Sequence, residues 1–427
     1  MRVPRFAVDL TAVRLSRDLR LVLLGQALSA LGTQAALVAV PYQVYVLTHS
    51  AALVGLLGVV ELGPLIAASL LGGAIADRMD RRGLLLMAQL AETLIVGGLA
   101  AIALLEQPPI ALVFLLAGAL AGAGAVVNVA RSAMVPGLAG RERLRSALSL
   151  NFGLTQVASV VGPGAGGLLI AWLGVGATYA VDAGAFLVAL LATLPLRPMR
   201  PGGGDGVAGP PPAVGRSIAE GLRFVRGNRA LMGSFVIDIA AMTFGMPRAL
   251  FAVLSLTVYH SGAAGTGLLY AAVSAGATVA ALTTGWVEHA RWLGRVVIGA
   301  VLVWGAAIAA AGVVGSLAAA ALLLAVAGAA DSISAVCRSI INQTVTPEAL
   351  RGRMSAAFML VVTSGPRLGD LESGLVAAAT SAGFAVLSGG LACIASVGAI
   401  VWAFPQLAAY DGHTPPPAEL EDAALVA

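Results

Sequence analysis

Ionisable side chains stand inside long apolar stretches of this chain, where a charge costs a few kcal/mol and marks a functional candidate by default. Residues 365–374 (GPRLGDLESG) place Arg367, Asp370 and Glu372 near the middle of one such stretch. Arg367 and Asp370 are three residues apart and share a helix face, so they form either a structural ion pair or a functional one. Glu372 lies about 200° round the helix from Asp370 and is the better proton carrier.

Another apolar stretch holds Asp238 and Arg248. They are roughly 15 Å apart along a helix axis and cannot pair within one helix. For Arg248, a cross-helix salt bridge to Glu61 or Glu372 is the structural alternative to a functional role. Glu61, just before Pro64, is a further buried acid suited to proton exchange. Weaker candidates of the same kind are Glu92, Asp182 and Asp331.

Neutral polar groups and metal-binding side chains are few. The first apolar stretch supplies Gln34, Tyr42 and Gln43, which suit hydrogen bonds to a ligand and, equally, hydrogen bonds between helices. The two cysteines, Cys337 and Cys393, and four scattered histidines offer no metal cluster and no clustered nucleophile. We therefore expect no catalytic residue, no metal and no cofactor, and predict that the chain is not an enzyme.

The composition indicates a membrane protein. Of 427 residues, 59% are hydrophobic and 11% are charged, and the mean hydropathy is +0.93, too apolar for a soluble protein of this size. The isoelectric point near 9.5 does not indicate nucleic-acid binding, because the basic residues lie between apolar stretches rather than on one polar face.

Apolar stretches of about 20 residues predict twelve membrane-spanning helices. All but two of the 25 basic residues, Arg248 and Arg367, lie in alternate loops or at the adjoining helix ends. The positive-inside rule then places both termini in the cytoplasm. The predicted fold is an all-α membrane protein with twelve transmembrane helices in two pseudo-symmetric six-helix bundles. The approximate helix limits are residues 21–47, 53–75, 84–105, 110–131, 148–172, 176–195, 230–258, 265–287, 294–314, 317–337, 354–380 and 382–404.

A Pro- and Gly-rich segment divides the chain. Residues 198–216 (PMRPGGGDGVAGPPPAVGR) cannot pack a core, so residues 198–229 are predicted to form a cytoplasmic linker. The linker would join six-helix bundles at 21–197 and 230–404. The remaining segments, 1–20 and 405–427, are predicted to be cytoplasmic tails.

The two halves repeat each other's motifs at a nearly constant offset, as expected of a duplication. A Gly-Pro pair kinks a span and removes side chains where another helix must slide past. The glycine-rich packing motif of the first half, Gly162 to Gly167, is not a phosphate-binding loop, because no Lys-Ser or Lys-Thr follows it. The paired features are His49-Ser50 with His260-Ser261, Arg131-Ser132 with Arg338-Ser339, and the packing motif Gly162, Pro163, Gly166 and Gly167 with Gly365, Pro366 and Gly369.

A charged turn at residues 72–82 (GGAIADRMDRR) follows the second apolar stretch. Asp77 stands where a carboxylate would face the positive N-terminus of another helix. The pattern G-x-x-x-D-R-x-x-R-R resembles the signature loop between helices 2 and 3 of major facilitator superfamily transporters. In that family the loop is a latch that stabilises one access state. The latch residues are Gly73, Asp77, Arg78, Arg81 and Arg82, and the expected docking arginines are Arg351 and Arg353.

Further stretches resemble the superfamily branch that contains the enterobactin exporter and related bacterial multidrug efflux proteins. They are AVPYQVYVLTHS, GRERL at 140–144 and QTVTPEALRGRM at 343–354. The Gly162 motif resembles one associated with antiporters and favours export. By this resemblance we expect proton antiport by alternating access, with Asp238 as a proton site and Arg248 as a substrate contact or counter-ion.

The substrate stays open between two classes. Arg248 and Arg367 suit an anionic ligand such as a catecholate siderophore, whereas the several acids suit a cationic drug equally well. The expected partners are a small molecule, protons and the lipid bilayer of a bacterial inner membrane, without nucleic acid and with the chain as a monomer. A non-transporting membrane sensor and a membrane-embedded enzyme are the remote alternatives.

Overall fold

The computed structural model describes residues 17–76, 78–199 and 214–412. This part of the chain is built from α-helices, two short 3-10 helices and turns, and contains no strand. The helices are α1 Arg17–Thr48, α2 Ala51–Ala76, α3 Arg81–Ile102, α4 Ile110–Thr193, α5 Val214–Gly227, α6 Arg229–Phe244, α7 Leu250–Thr257, α8 Gly262–Thr283, α9 Leu293–Ala311, α10 Leu317–Val345, α11 Arg351–Ala379, α12 Ala382–Ala403 and α13 Pro405–Ala408.

Nine helical stretches of the described chain are long and apolar enough to cross a membrane. Two predicted spans are not among them. The predicted span 230–258 is divided into α6 and α7, of 16 and 8 residues. The predicted span 354–380 lies within α11, which carries Arg367, Asp370 and Glu372. The all-helical membrane fold is confirmed, and the count of twelve stays a prediction.

The described chain falls into two compact units. Unit 1 comprises Met1–Leu47 and Val60–Asp205, and unit 2 comprises Thr48–Val59 and Gly206–Ala427. Residues 48–59 belong to unit 2, and the boundary between the units falls within the predicted linker. The six-helix bundles at 21–197 and 230–404 stay a prediction. The predicted linker is described only in part, and its later portion forms helix α5.

Helix α4 is assigned as one helix of 84 residues, yet its contacts reverse direction. A side chain at Gly162 would meet Gln34 of α1, and one at Gly166 would meet Ala35. Farther along, Phe186 lies against Gly32 and Ala189 against Gly25, so the chain now runs back down α1. Gly174 has φ +83°, a conformation that interrupts a right-handed helix. The break agrees with the loop predicted between spans 148–172 and 176–195.

The sequence repeat recurs in the backbone and in the helix crossings. His49 and His260 both have positive φ, 50° and 48°, just before α2 and α8. Gly162 and Gly166 bring α4 against α1 in unit 1. In unit 2, a Cβ added at Gly365 would lie 2.8 Å from the Met242 side chain. A Cβ added at Gly369 would lie 2.6 Å from the Met242 carbonyl oxygen, so α11 crosses α6 equally closely.

Two arginines that the sequence assigned to cytoplasmic helix ends are buried inside helices. Arg131 is 5% exposed and Arg338 is 1% exposed. The reason is that α4 and α10 continue beyond the predicted ends at residues 131 and 337. The positive-inside count therefore included two side chains with partners in the protein interior.

Candidate functional site

The candidate site in unit 2 is built on a break between α6 and α7. Helix α6 ends at Phe244, and Pro247, which lacks an N–H group, precedes the start of α7 at Leu250. Backbone groups that lack a partner within a helix at this break form hydrogen bonds with side chains from other helices. The Trp304 indole of α9 donates to the Gly245 carbonyl at 2.9 Å.

The same break receives side chains from α8 and α11. The Tyr270 hydroxyl donates to the Arg248 carbonyl at 2.9 Å. The Ala249 amide donates to Asp370 Oδ1 at 2.9 Å, so Asp370 satisfies a backbone group at the N-terminus of α7. Asp370 also interacts electrostatically with both Arg367 and Arg248. Its role is thus wider than the structural pair with Arg367 considered from the sequence.

Asp238 forms a buried ion pair that the sequence did not predict. Arg338 Nη2 of α10 lies 2.9 Å from Asp238 Oδ1 of α6, with the two side chains 1% and 0% exposed. Arg338 Nη1 donates to Ser334 Oγ at 2.9 Å. Asp331, two helical turns before Arg338, lies 3.8 Å from Arg338 Nη2 and is 22% exposed. The ion-pair partner of Asp238 is thus an arginine of α10. The salt bridge considered for Arg248, to Glu61 or Glu372, stays a prediction.

A small pocket opens beside this ionic cluster. Arg248 and Asp331 are its charged lining residues, and Met246, Phe251 and Trp304 contribute apolar surface. The pocket therefore joins the helix break to the ionic cluster of α10.

Unit 1 contains its own buried charge pair. Glu92 of α3 is 2% exposed and interacts electrostatically with Arg131 of α4. Arg131 occupies the position in the repeat that Arg338 occupies in unit 2. Asp182, a weaker candidate from the sequence, is 3% exposed in α4. Glu61 is half-buried in α2.

The neutral polar residues of α1 divide between two environments. Gln43 is 4% exposed, and its Oε1 accepts a hydrogen bond from the Tyr179 hydroxyl at 2.9 Å. Of the two roles left open for Gln43, the structure thus shows the interhelical one. Gln34 lies against Gly162 of α4, and Tyr42 is half-buried.

The charged turn after α2 is anchored within unit 1. Arg81 Nη1 donates to the Ala133 carbonyl at 2.9 Å, and Arg82 Nη2 donates to the Leu194 carbonyl at 2.5 Å. Arg78 is exposed. The position next to Gly73 is open, with no atom within 4 Å of an added Cβ. Asp77, the central latch residue, lies outside the described residues, so its docking stays a prediction.

The two arginines expected near the Asp77 dock have other ionic partners. Arg351 Nη1 lies 3.2 Å from Glu348 on the exposed surface. Arg353 Nη1 lies 2.9 Å from Glu220 of α5, and Gly221 packs against the Arg353 backbone. Arg353 therefore ties α11 to helix α5, which the sequence analysis treated as linker.

Asp80 anchors the turn although the sequence analysis gave it no role. Its Oδ2 accepts from the Gly83 amide at 3.1 Å as the N-cap of α3, and its Oδ1 accepts from the Met199 amide at 2.6 Å. Replacing Asp80 with alanine should lower the free energy of unfolding by about 0.5–2 kcal/mol, because the cap is lost. Chemical unfolding in detergent micelles measures the change. Asp80→Asn keeps an acceptor oxygen and should lose less, and equal losses for the two variants would contradict this role.

A family model described as Major Facilitator Superfamily matches residues 22–370. The chain belongs to the Major Facilitator Superfamily. Members of this superfamily are multi-pass membrane transporters of small molecules, so the chain is such a transporter rather than a member of an enzyme family. The helix breaks and buried ionic residues described above are features of a major facilitator protein.

The chain is similar to curated superfamily members over most of its length. It is 30% identical over 407 residues to "Enterobactin exporter EntS" of Shigella boydii serotype 4, covering 91% of this chain and 93% of that protein. It is 31% identical over 396 residues to the protein of the same name from Citrobacter koseri, covering 90% and 91%.

Solved structures of transporters share the fold. The nucleoside transporter NupG has a TM-score of 0.74 at 13% identity, covering 92% of this chain and 98% of that one. A bacterial homologue of the human lysosomal transporter Spinster, in an inward-facing and unoccupied conformation, has a TM-score of 0.70 at 16% identity, covering 91% and 95%. At these identities the likeness concerns the major facilitator fold alone.

Proposed function

We propose that this major facilitator protein is a secondary active exporter of a small organic molecule, a siderophore of the enterobactin type. It would act across the bacterial inner membrane by proton antiport with alternating access. The observation that carries the proposal is the similarity to enterobactin exporters at 30% identity over 91% of the chain. Both termini are proposed to be cytoplasmic, with six-helix bundles at 21–197 and 230–404 and the chain acting as a monomer.

Arg248, one of the two charged residues that line the unit 2 pocket, suits an anionic ligand. Arg248 faces this pocket beside the aromatic side chains of Phe251 and Trp304. A guanidinium and aromatic rings together recognise flat anionic groups such as a catecholate, by charge and by ring contacts. We assign substrate contact to Arg248, with Arg367, Gln34 and Tyr42 as further candidates.

Proton antiport requires a carboxyl group that binds a proton differently in the two access states. The proposed coupling and cavity groups are Glu61, Asp238, Arg248, Arg367, Asp370 and Glu372. Half-buried Glu61 and Glu372 are partly accessible, whereas Asp238 is fully enclosed. The latch of Gly73, Asp77 and the neighbouring arginines would stabilise one access state.

Transport by purified protein in proteoliposomes tests the proposal. Radiolabelled enterobactin should accumulate in vesicles whose lumen is acidic, because protons leaving the lumen drive its entry. Vesicles without a pH gradient should only exchange labelled for unlabelled enterobactin. A parallel assay with the cationic drug ethidium separates the two substrate classes.

Three outcomes decide the matter. Accumulation of enterobactin but not ethidium supports the proposal. Accumulation of ethidium alone shows a multidrug exporter instead. Absence of both accumulation and exchange, with protein that remains folded in detergent, contradicts the exporter function.

A further inference from the structure

The geometry points to Asp331 as the carboxylate that takes up and releases the coupled proton, with Asp238 as the fixed counter-ion of Arg338; this rests on the proposed proton antiport. The sequence alone favours Glu372 and Asp238 as proton sites and makes Asp331 a weaker candidate. The distances and exposures of the unit 2 cluster reverse that order.

Access of water separates the two carboxylates. A proton reaches a buried group through water, so the group must be open to a wet space in at least one state. Asp331 is 22% exposed and lines the pocket beside the helix break. Asp238 is 0% exposed and is held 2.9 Å from Arg338. Only Asp331 of the pair is therefore placed to exchange a proton with solvent.

The charge count of the cluster gives Asp331 a reason to bind a proton. Arg338 carries one positive charge, and Asp238 already neutralises it at hydrogen-bonding distance. Asp331, 3.8 Å away and 22% exposed, is a second carboxylate for the same guanidinium. A surplus negative charge in an apolar interior is costly unless it is paired or protonated.

Polar and ionisable groups from several helices surround Asp331. On α10 itself these are Ser334, which accepts from Arg338, and Cys337. From α6 comes Asp238, and from the break comes Arg248, which interacts electrostatically with Asp331. Tyr270 of α8 and Trp304 of α9 are neutral and donate to backbone carbonyls of the break.

Arg248 supplies the compensating charge when Asp331 is ionised. In the transport cycle, a proton from water on the outer side binds a carboxylate oxygen of Asp331, and the neutral acid no longer attracts Arg248 or Arg338. Loss of the same proton to the cytoplasmic side restores both attractions. Asp331 thereby links proton occupancy to the charges beside the α6–α7 break, where two helix segments meet.

The test compares gradient-driven transport with exchange in proteoliposomes, using radiolabelled enterobactin as the probe. Asp331→Asn is permanently neutral, so it should lose the response to an acidic lumen by about tenfold or more while exchange without a gradient continues. Arg291→Gln, which breaks an exposed ion pair with Asp411 outside the cluster, should still respond to the gradient.

Each outcome has a separate meaning. If wild-type protein shows no gradient-driven accumulation, the proposed antiport fails. If wild-type protein accumulates enterobactin and Asp331→Asn does so equally, or if Arg291→Gln alone loses the response, the assignment to Asp331 is overturned. Continued exchange by Asp331→Asn establishes that the variant is folded.

A labelling experiment tests the access argument without transport. In a background with Cys337 and Cys393 replaced by alanine, Asp331→Cys should react with a small water-soluble thiol reagent in native membranes. Asp238→Cys should react about tenfold more slowly or not at all, because solvent access to that position is closed. Faster labelling at position 238 than at position 331 would overturn the proposal even if the transport variants failed to fold.

Discussion

Replacing Arg338 with glutamine should lower the free energy of unfolding by about 3–5 kcal/mol, a large part of a protein's stability. The substitution leaves Asp238 as an uncompensated charge in the interior, because Arg338 is its ion-pair partner at 2.9 Å and the site excludes solvent. Denaturant titration in detergent micelles, followed by tryptophan fluorescence, measures the loss.

Two further variants identify the cause of this loss. Asp238→Asn together with Arg338→Gln removes both main charges, and this double variant should be more stable than Arg338→Gln alone. Arg291, 64% exposed, forms a surface ion pair with Asp411. Arg291→Gln breaks this pair and should change the free energy of unfolding by about 0–1 kcal/mol. Equal destabilisation by the single and double variants would show that the interior charge is not the reason.

Replacing Gly166 with alanine should destabilise the protein by about 1–3 kcal/mol, because the added methyl group overpacks a helix crossing. Its Cβ would lie 2.8 Å from Ala35 Cα, a backbone atom of α1 that cannot turn aside. Transport should fall with it, since α4 would be forced away from α1. Unfolding and enterobactin exchange are measured on the same preparation.

A glycine of the same helix is the matched control. Gly153 has no atom within 4 Å of an added Cβ. Gly153→Ala should therefore be neutral or stabilise the helix by about 0.5–1 kcal/mol through lower backbone entropy in the unfolded chain. Opposite signs for the two substitutions support the close crossing, and loss of stability in both would contradict it.

Helix content and several helix boundaries follow directly from the sequence, because apolar length and glycine or proline breaks are local properties. Gly174 falls within the predicted loop between two spans and has a positive φ of 83°. The break at Gly245 and Pro247 was also readable, since the residues that end α6 are local. The sequence analysis nevertheless treated residues 230–258 as one span.

Partnerships between distant helices were not predictable in the same way. Arg338 stands at the end of an apolar stretch, where an arginine usually faces the cytoplasm, and nothing local indicates that Asp238 of another helix lies beside it. The repeated Arg-Ser pairs at 131 and 338 were the one available signal, because they mark equivalent positions in both halves. Arg353 with Glu220 was missed for the same reason: a segment expected to be linker contains a helix that packs on α11.

The hydrogen bond from Trp304 to the Gly245 carbonyl makes Trp304 an intrinsic fluorescence probe of the α6–α7 break. Trp304 is 1% exposed, whereas Trp172, Trp286 and Trp402 are 76%, 49% and 87% exposed. Trp292, the fifth tryptophan, is half-buried. Emission from Trp304 is therefore shielded from aqueous quenchers such as iodide, and replacing the other four tryptophans with phenylalanine isolates it. Any rearrangement of the α6–α7 break that breaks this hydrogen bond changes the emission wavelength and the fluorescence lifetime of Trp304, without an attached label.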